Sequence, residues 1–478
     1  MDILFVTPEV APYSKVGGLG DVCGALPKAL HALGHHVTVI SPLYANVDPG
    51  LRTLARRLNK IEAKLGTQTY PCEVYDGRTS AGVDVTFVGQ EQLFRGSADV
   101  YSGDDRKDAI RFTVLCRAAV QIAKDRQCDV LHAHDWGAAL AILLAKLEPE
   151  LASVSKVLTI HNVAHQGIFP AEMLEELGLP RELFNPNGIE FYGKLDLLKG
   201  GIVAADRITT VSPTYAREIT TPPGGHGLEG VLAARGKALV GILNGIDTSV
   251  WNPSTDTLVA ARFDPMDLGG KARCKAALQQ ELGLPVRDDV PIIGTVGRLV
   301  TQKGYDLFAK AAAQLLRNDV QLAVLGLGDE SLEEVLGELS RRWPDRLQTR
   351  FAHDDGLAHR IVAGSDLFLM PSRFEPCGLT QMYAHRYGTV PIVHGTGGLA
   401  DTVIDCDAAL ETGTGFRFDD ATPDALLAAS RRAIASFTKR EAFVALQRRV
   451  MRLDWSWSRS GRLYERLYRE LRPDPATT

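Results

Sequence analysis

Short apolar runs alternate with helix-like stretches along almost the whole chain, and a glycine loop closes the first such unit. Ile3 to Thr7 reads as a strand and is followed by Lys15-Val16-Gly17-Gly18-Leu19-Gly20. Val22, Ala25, Leu26, Ala29, Leu30 and Leu33 then recur at helical spacing, which predicts a helix over 21–33 with one apolar face. Gly34 is a natural stop for it, and Val37 to Ile40 is the next strand. This is a βαβ unit with its glycine loop at the strand-to-helix turn. Further strand-like runs at 83–88, 130–133, 157–160 and 208–211 are separated by helical stretches such as 109–124 and 137–147. Strands alternating with helices predict a parallel, doubly wound sheet.

The pattern breaks near Asn244-Gly245-Ile246-Asp247 and then restarts. Strands are expected at 291–296, 321–325, 366–370 and 390–393, and helices at 305–316, 332–342, 379–387 and 423–435. The reading is two Rossmann-like halves facing a central cleft. Their expected bounds are 1–243, joined by a last helix at 457–478, and 244–456. A length of 478 residues fits, since domains run to roughly 100–200 residues each.

Composition narrows the function classes. Apolar residues make up 45% and charged residues 23%, the balance of a globular protein. A net charge of −5 supplies no electrostatic footprint for nucleic acid. Seven Cys with no CxxC spacing disfavour a disulfide framework or a zinc ribbon, and a reducing cytoplasm fits. The start of the chain does not read as a signal peptide. The apolar stretch 137–145 is too short to span a bilayer, so no membrane partner is expected.

In doubly wound sheets, ligands bind at the carboxyl ends of the strands. Polar or glycine-rich segments follow the expected strands. They are Lys15–Gly20, His134-Asp135-Trp136, His161-Asn162, Gly297-Arg298 with Lys303-Gly304, Gly326–Asp329, Arg373–Gly378 and Gly395–Gly398. Taken alone, the glycine loop suits a tight turn as well as a phosphate or sugar contact. Arg298 and Lys303 could neutralise a diphosphate or be solvated surface cations. Glu375 could accept sugar hydroxyls or be a loop carboxylate beside a helix start. Cys377 reads as a packing or backbone-contact residue and His132 as structural. Asp405-Cys406-Asp407 spells a DxD but falls in an expected surface turn.

Together these pieces resemble the bacterial and plant glycogen/starch synthase family. The resemblance rests on Lys15–Asp21, His134–Trp136, His161-Asn162, Asn244–Asp247, Gly297–Leu299 with Lys303-Gly304, Pro371–Gln381 and Thr396–Asp401, which run in the family's order. It implies a GT-B fold and a retaining transfer of glucose from ADP-glucose to the non-reducing end of an α-1,4-glucan. It implies catalytic roles for His161, Arg298, Lys303 and Glu375. Lys15, Gly17, Gly18, Asp21, Asn162, Asn244, Cys377, Gly378, Leu379 and Thr380 would bind substrate. No metal or cofactor is implied, because protein cations take over that task. The last helix would return to the first domain, with Leu463, Leu467 and Leu471 as a compatible apolar pattern. One departure is Tyr383, eight positions after Glu375, where many GT-B relatives carry a second Glu. No obvious nucleophile remains, so a same-face mechanism is the expectation. UDP-glucose as donor, a glucan phosphorylase, a catalytically silent glucan-binding protein and a NAD-binding protein are the weaker readings.

Overall fold

The computed structural model describes residues 1–472. The chain divides into two compact units, Met1–Gly245 together with the segment from Trp457, and Ile246–Ser456. Each has its own sheet and core.

The first unit opens with β1 (Asp2–Val6), α1 (Gly18–Ala32) and β2 (His36–Pro42). Then come the antiparallel pair β3 (Ile61–Leu65) and β4 (Gln68–Arg78), and β5 (Asp84–Gly89). They are followed by α2 (Asp105–Arg126), β6 (Val130–His134), α3 (Trp136–Leu147) and β7 (Ser155–Ile160). Next are α4 (Leu197–Ala204), β8 (Arg207–Thr210) and β9 (Leu239–Gly241). The main sheet runs β9-β8-β7-β6-β1-β2-β5-β4. Neighbours from β9 to β5 pair in parallel, and β4 joins β5 antiparallel. The central strands β1, β2, β6 and β7 are buried along almost their whole length, as in a sheet covered on both faces. In α3 every residue from Gly137 to Ala145 is buried, so that apolar stretch is a core helix hydrophobic all round.

The second unit contains α5 (Gly269–Leu282), β10 (Ile292–Val296), α6 (Tyr305–Leu315), β11 (Gln321–Leu325), α7 (Glu330–Arg342) and β12 (Leu347–Arg350). It continues with α8 (Asp355–Gly364), β13 (Leu367–Met370), α9 (Thr380–Arg386), β14 (Val390–His394), α10 (Gly397–Thr402) and β15 (Phe416–Phe418). It ends with α11 (Pro423–Phe437) and α12 (Arg440–Met451). Its sheet runs β12-β11-β10-β13-β14-β15, all parallel. Local chemistry sets several helix ends. Thr422 accepts from the Ala425 N–H with Pro423 at the first helical position, and Gly283 ends α5 at φ +77°.

The last helix, α13 (Trp457–Leu471), packs in the first unit's core, against β1 and α1. The contact is made by Trp457, Tyr464, Leu467 and Tyr468, with Leu471 partly buried. Leu463 is 38% exposed, so the leucine spacing had the face slightly rotated. Leu467 and Leu471 of that row take part, and the large aromatic residues beside it, Trp457, Tyr464 and Tyr468, share the docking. The Tyr468 hydroxyl sits 2.7 Å from His132 Nδ1, and His132 Nε2 lies 2.6 Å from Thr159 Oγ1. His132 is therefore structural.

Candidate active site

Strand order decides which loops meet. In the first unit the chain adds β2 to one side of β1 and later β6 to the other. In the second it adds β11 beside β10 and later β13 on the opposite side. Loops leaving such a reversal diverge and leave a crevice at the carboxyl ends of the strands. Each unit carries a polar cluster at this position.

In the second unit the loop after β10 turns sharply at Gly304, where φ is +71°. A Cβ at Gly304 would overlap the Pro371 carbonyl in the loop after β13, so only glycine permits this approach. Arg373 ties the loops further. Its N–H donates to the Gln302 carbonyl at 2.9 Å, and its guanidinium donates to Asp306 at 2.6 Å. Lys303 Nζ consequently reaches both carboxylate oxygens of Glu375, at 2.8 and 2.7 Å. Ser372 Oγ donates to the same carboxylate at 2.8 Å. The Glu375 side chain is 8% exposed and that of Lys303 26%. A carboxylate that buried needs its partners, and three directed bonds fix it. Arg298 is exposed, and nothing among the described residues pairs with its guanidinium. Gly398 N–H donates to the Glu375 carbonyl at 3.0 Å. Gln381 Nε2 donates to the carbonyls of Cys377 and Gly378 at 3.1 and 2.9 Å, which braces Gly378 at φ +68°. Leu379 and Thr380 begin α9 beside it, half-buried.

In the first unit Glu9, buried just after β1, organises the glycine loop. Its Oε2 accepts from the N–H groups of Val16 and Gly17 at 2.7 and 3.1 Å, and its Oε1 accepts from Tyr101 at 3.1 Å. The Gly17 amide is therefore engaged by protein. The Gly18 N–H opens α1. No atom lies within 4 Å of a Cβ placed on Gly17 or Gly18, which leaves room beside the loop. Lys15 Nζ pairs with Asp21 at 2.8 Å, both partly exposed.

Beyond β6, Asp135 adopts φ +56°, a strained value for a residue with a Cβ. Its Oδ1 accepts from His161 N–H at 2.6 Å and, more loosely, from Asn162 N–H at 3.4 Å. Burial pushes the Asp135 carboxyl up to about 7, against the lowering effect of those backbone donors. Burial also drives His161 down to about 3. The ring is thus neutral near pH 7 and offers a hydrogen bond rather than a fixed positive charge. Asn162 Oδ1 accepts from Ala164 N–H at 3.1 Å and shapes the following turn. Asn244 is buried at the end of the first unit.

The residues expected from sequence therefore form two groups, one within each unit. Lys15 lies on the loop after β1, Gly18 and Asp21 in the first turn of α1, and His161 and Asn162 on the loop after β7. Arg298, Lys303, Glu375, Cys377 and Gly378 lie on loops after β10 and β13. Glu9 and Ser372 were missed. Their signal was position alone, since each follows closely on an apolar strand. Tyr383, the departure from the two-Glu pattern, lies flat on Trp251 at 3.9 Å and 7°. Trp251 stacks its ring on His359 at 3.7 Å, so Tyr383 is committed to packing. Asp405 is held by Arg432 and Asp407 caps its own turn. The DxD is a surface turn.

Both units match families of known proteins. Residues 2–234 match the starch synthase catalytic domain model, and 280–449 match the glycosyl transferases group 1 model. The chain is 48% identical to a glycogen synthase of Anaeromyxobacter sp. (strain Fw109-5), over 98% of this chain and 99% of the relative. It is 44% identical to glycogen synthase 2 of Geobacter sulfurreducens, over 98% of each. The structure of the starch synthase IV catalytic domain from Arabidopsis thaliana, bound to ADP and acarbose, superposes with a TM-score of 0.90 at 35% identity. That match covers 98% of this chain and 99% of the other. A sucrose-phosphate synthase from Thermosynechococcus elongatus, 18% identical with a TM-score of 0.61 over 98% of each chain, shares the fold. Both units are Rossmann-like and the fold is GT-B.

Proposed function

The chain belongs to the glycogen synthase family, and from that premise we propose that it transfers glucose from ADP-glucose to the non-reducing end of an α-1,4-glucan, with retention at the anomeric carbon. The observation that carries the assignment is the Lys303–Glu375–Ser372 cluster at the reversal of strand order, with Arg298 on the loop that carries Lys303. As the glucose–phosphate bond breaks, negative charge grows on the departing diphosphate. Lys303, held in place before substrate arrives, and Arg298 meet that charge at little cost in reorganisation. Glu375 takes glucose hydroxyls on oxygens already oriented by Lys303 and Ser372. Lys15 and Gly18 approach the donor in the first unit, and His161 offers its sugar contact there. Asp21, Asn162, Asn244, Cys377, Gly378, Leu379 and Thr380 shape those two surroundings.

A same-face route is supported by the state of the carboxylates. Glu375 is bound by Lys303 and Ser372. Both oxygens of Glu9 are in use, and burial disfavours the charged form of Asp135. None is set as a free nucleophile, so the leaving phosphate takes the proton of the incoming hydroxyl. We place the reaction in the cytoplasm, in keeping with seven buried cysteines, none in a disulfide. No helix among the described residues is long and apolar enough to cross a membrane.

The test is incorporation of labelled glucose into glycogen from ADP-glucose and UDP-glucose in parallel. Label from ADP-glucose that α-amylase releases is the expected result. Transfer only from UDP-glucose overturns the donor, and no transfer with tight glucan binding overturns the enzymatic reading. A trapped glucosyl–enzyme ester would refute the same-face route.

A further inference from the structure

His134, the last residue of β6, is fully buried beside His161. Its Nδ1 lies 3.0 Å from His161 Nε2. Its own Nε2 is sealed from solvent with no hydrogen-bond partner. Phe5 stacks on the ring at 4.9 Å and 21°, and His132 packs against it at 4.2 Å. The ring is therefore clamped between β1 and β6 with one polar contact, and that contact is the candidate catalytic imidazole.

We propose that His134 is a positioning residue that sets the tautomer of His161, donating its Nδ1–H to His161 Nε2 so that His161 presents Nδ1–H to the transferred sugar. The inference rests on the reading of His161 as a sugar-contacting residue.

A neutral imidazole carries one N–H and one bare nitrogen. Burial holds both rings in the neutral form, His134 well below the ordinary histidine range and His161 at about 3. One proton must lie between Nδ1 of His134 and Nε2 of His161. If it belonged to His161, the His134 proton would sit on Nε2, a buried donor with nothing to receive it. If it belongs to His134, the same Nε2 is a bare lone pair. Buried donors without acceptors are the rarer defect in folded proteins, so the proton belongs to His134. His161 then keeps its own proton on Nδ1, which no protein group engages among the described residues and which is not sealed from solvent. The ring can give a hydrogen bond to an oxygen of the donor sugar but cannot accept one there. Asp135 Oδ1 receives the His161 backbone N–H at 2.6 Å and holds the backbone that carries the ring.

Two measurements test this on the full-length protein. The first is nitrogen NMR of the chain labelled at histidine, with His161→Gln assigning the signal. The expected spectrum shows His161 protonated at Nδ1 and bare at Nε2 at pH 7.5. Protonation at Nε2 overturns the proposal, whatever the activity. The second compares kcat for ADP-glucose transfer in His134→Phe and His134→Asn. Phe keeps the ring packing and removes the donor, so kcat should fall about tenfold with the KM for glycogen unchanged. Asn places an amide N–H near the position of Nδ1 and should recover kcat to within about threefold of wild type. Native kcat in His134→Phe, or no rescue by Asn, overturns the proposal. Should the Phe variant fail to fold, the wild-type spectrum and the Asn variant still decide it. His161→Ala separates the two layers. Full activity in that variant removes His161 from the reaction, while the spectrum alone reports on the tautomer.

Discussion

Gly304→Ala tests whether the active arrangement depends on the loops after β10 and β13 being in contact. The change has two physical parts. Holding alanine at a positive φ costs roughly 1–2 kcal/mol. In addition, the new methyl would overlap the Pro371 carbonyl, far inside the 3.0 Å below which Cβ contacts are not found. The loops must then part by about 1 Å, which carries Lys303 away from Glu375, and a misplacement of that size can cost about 10²-fold in rate. Gly283→Ala is the matched control. Gly283 also has positive φ, +77°, but no atom lies within 4 Å of its added Cβ. Both variants should lose roughly 1–2 kcal/mol of stability to urea, and Gly304→Ala somewhat more. Only Gly304→Ala should lose turnover, by about 10²-fold, in labelled-glucose transfer from ADP-glucose to glycogen. Wild-type kcat in Gly304→Ala, or an equal loss in both variants, would refute the reasoning.

Lys303→Ala and Glu375→Ala should each lower kcat by at least about 10²-fold while near-ultraviolet circular dichroism stays native. Near-wild-type turnover removes that residue from the catalytic set. Tyr468→Phe deletes the buried hydroxyl that meets His132 at 2.7 Å. It should cost about 1–3 kcal/mol in urea unfolding, and an unchanged midpoint would show that apolar docking of α13 is sufficient. Burial lowers His132 and His161 to about 3 and His385 to about 4. Between those values and the unfolded value near 6.5, the unfolded chain binds more protons. Stability is therefore complete above that unfolded value and is lost as pH falls below it. The thermal midpoint should drop between pH 7 and pH 5, and a flat profile would mean these rings are not held neutral.

Much of the architecture was legible because it is local. The helix after the glycine loop, the strand Gln321–Leu325 and the Pro423 helix start follow from spacing, apolar runs and one residue that fixes φ. The β3–β4 pair escaped notice because β4 is only half-buried and its apolar residues are diluted by polar ones. In α4 nearly every residue is buried, which leaves no polar face to mark the period. Leu463 shows the limit of spacing. Its spacing matches that of Leu467 and Leu471, yet the buried face is centred on Tyr464, Leu467 and Tyr468, which leaves Leu463 at the edge.

The alternating α/β order, the restart near residue 244 and the identity of the polar loops are legible along the chain, since each depends on neighbours a few positions apart. What those loops do to one another depends on how the chain folds around them. Lys303 meets Glu375 across 72 positions, Glu9 receives Tyr101 across 92, and His132 meets Tyr468 across 336. Strand order brings such pairs together, and it is set by how whole helices cover the sheet, a choice that minimises exposed apolar surface over the domain. It leaves no mark in any short window of sequence. The same holds for the Gly17 amide, which the sequence presented as open to a ligand and the fold assigned to Glu9.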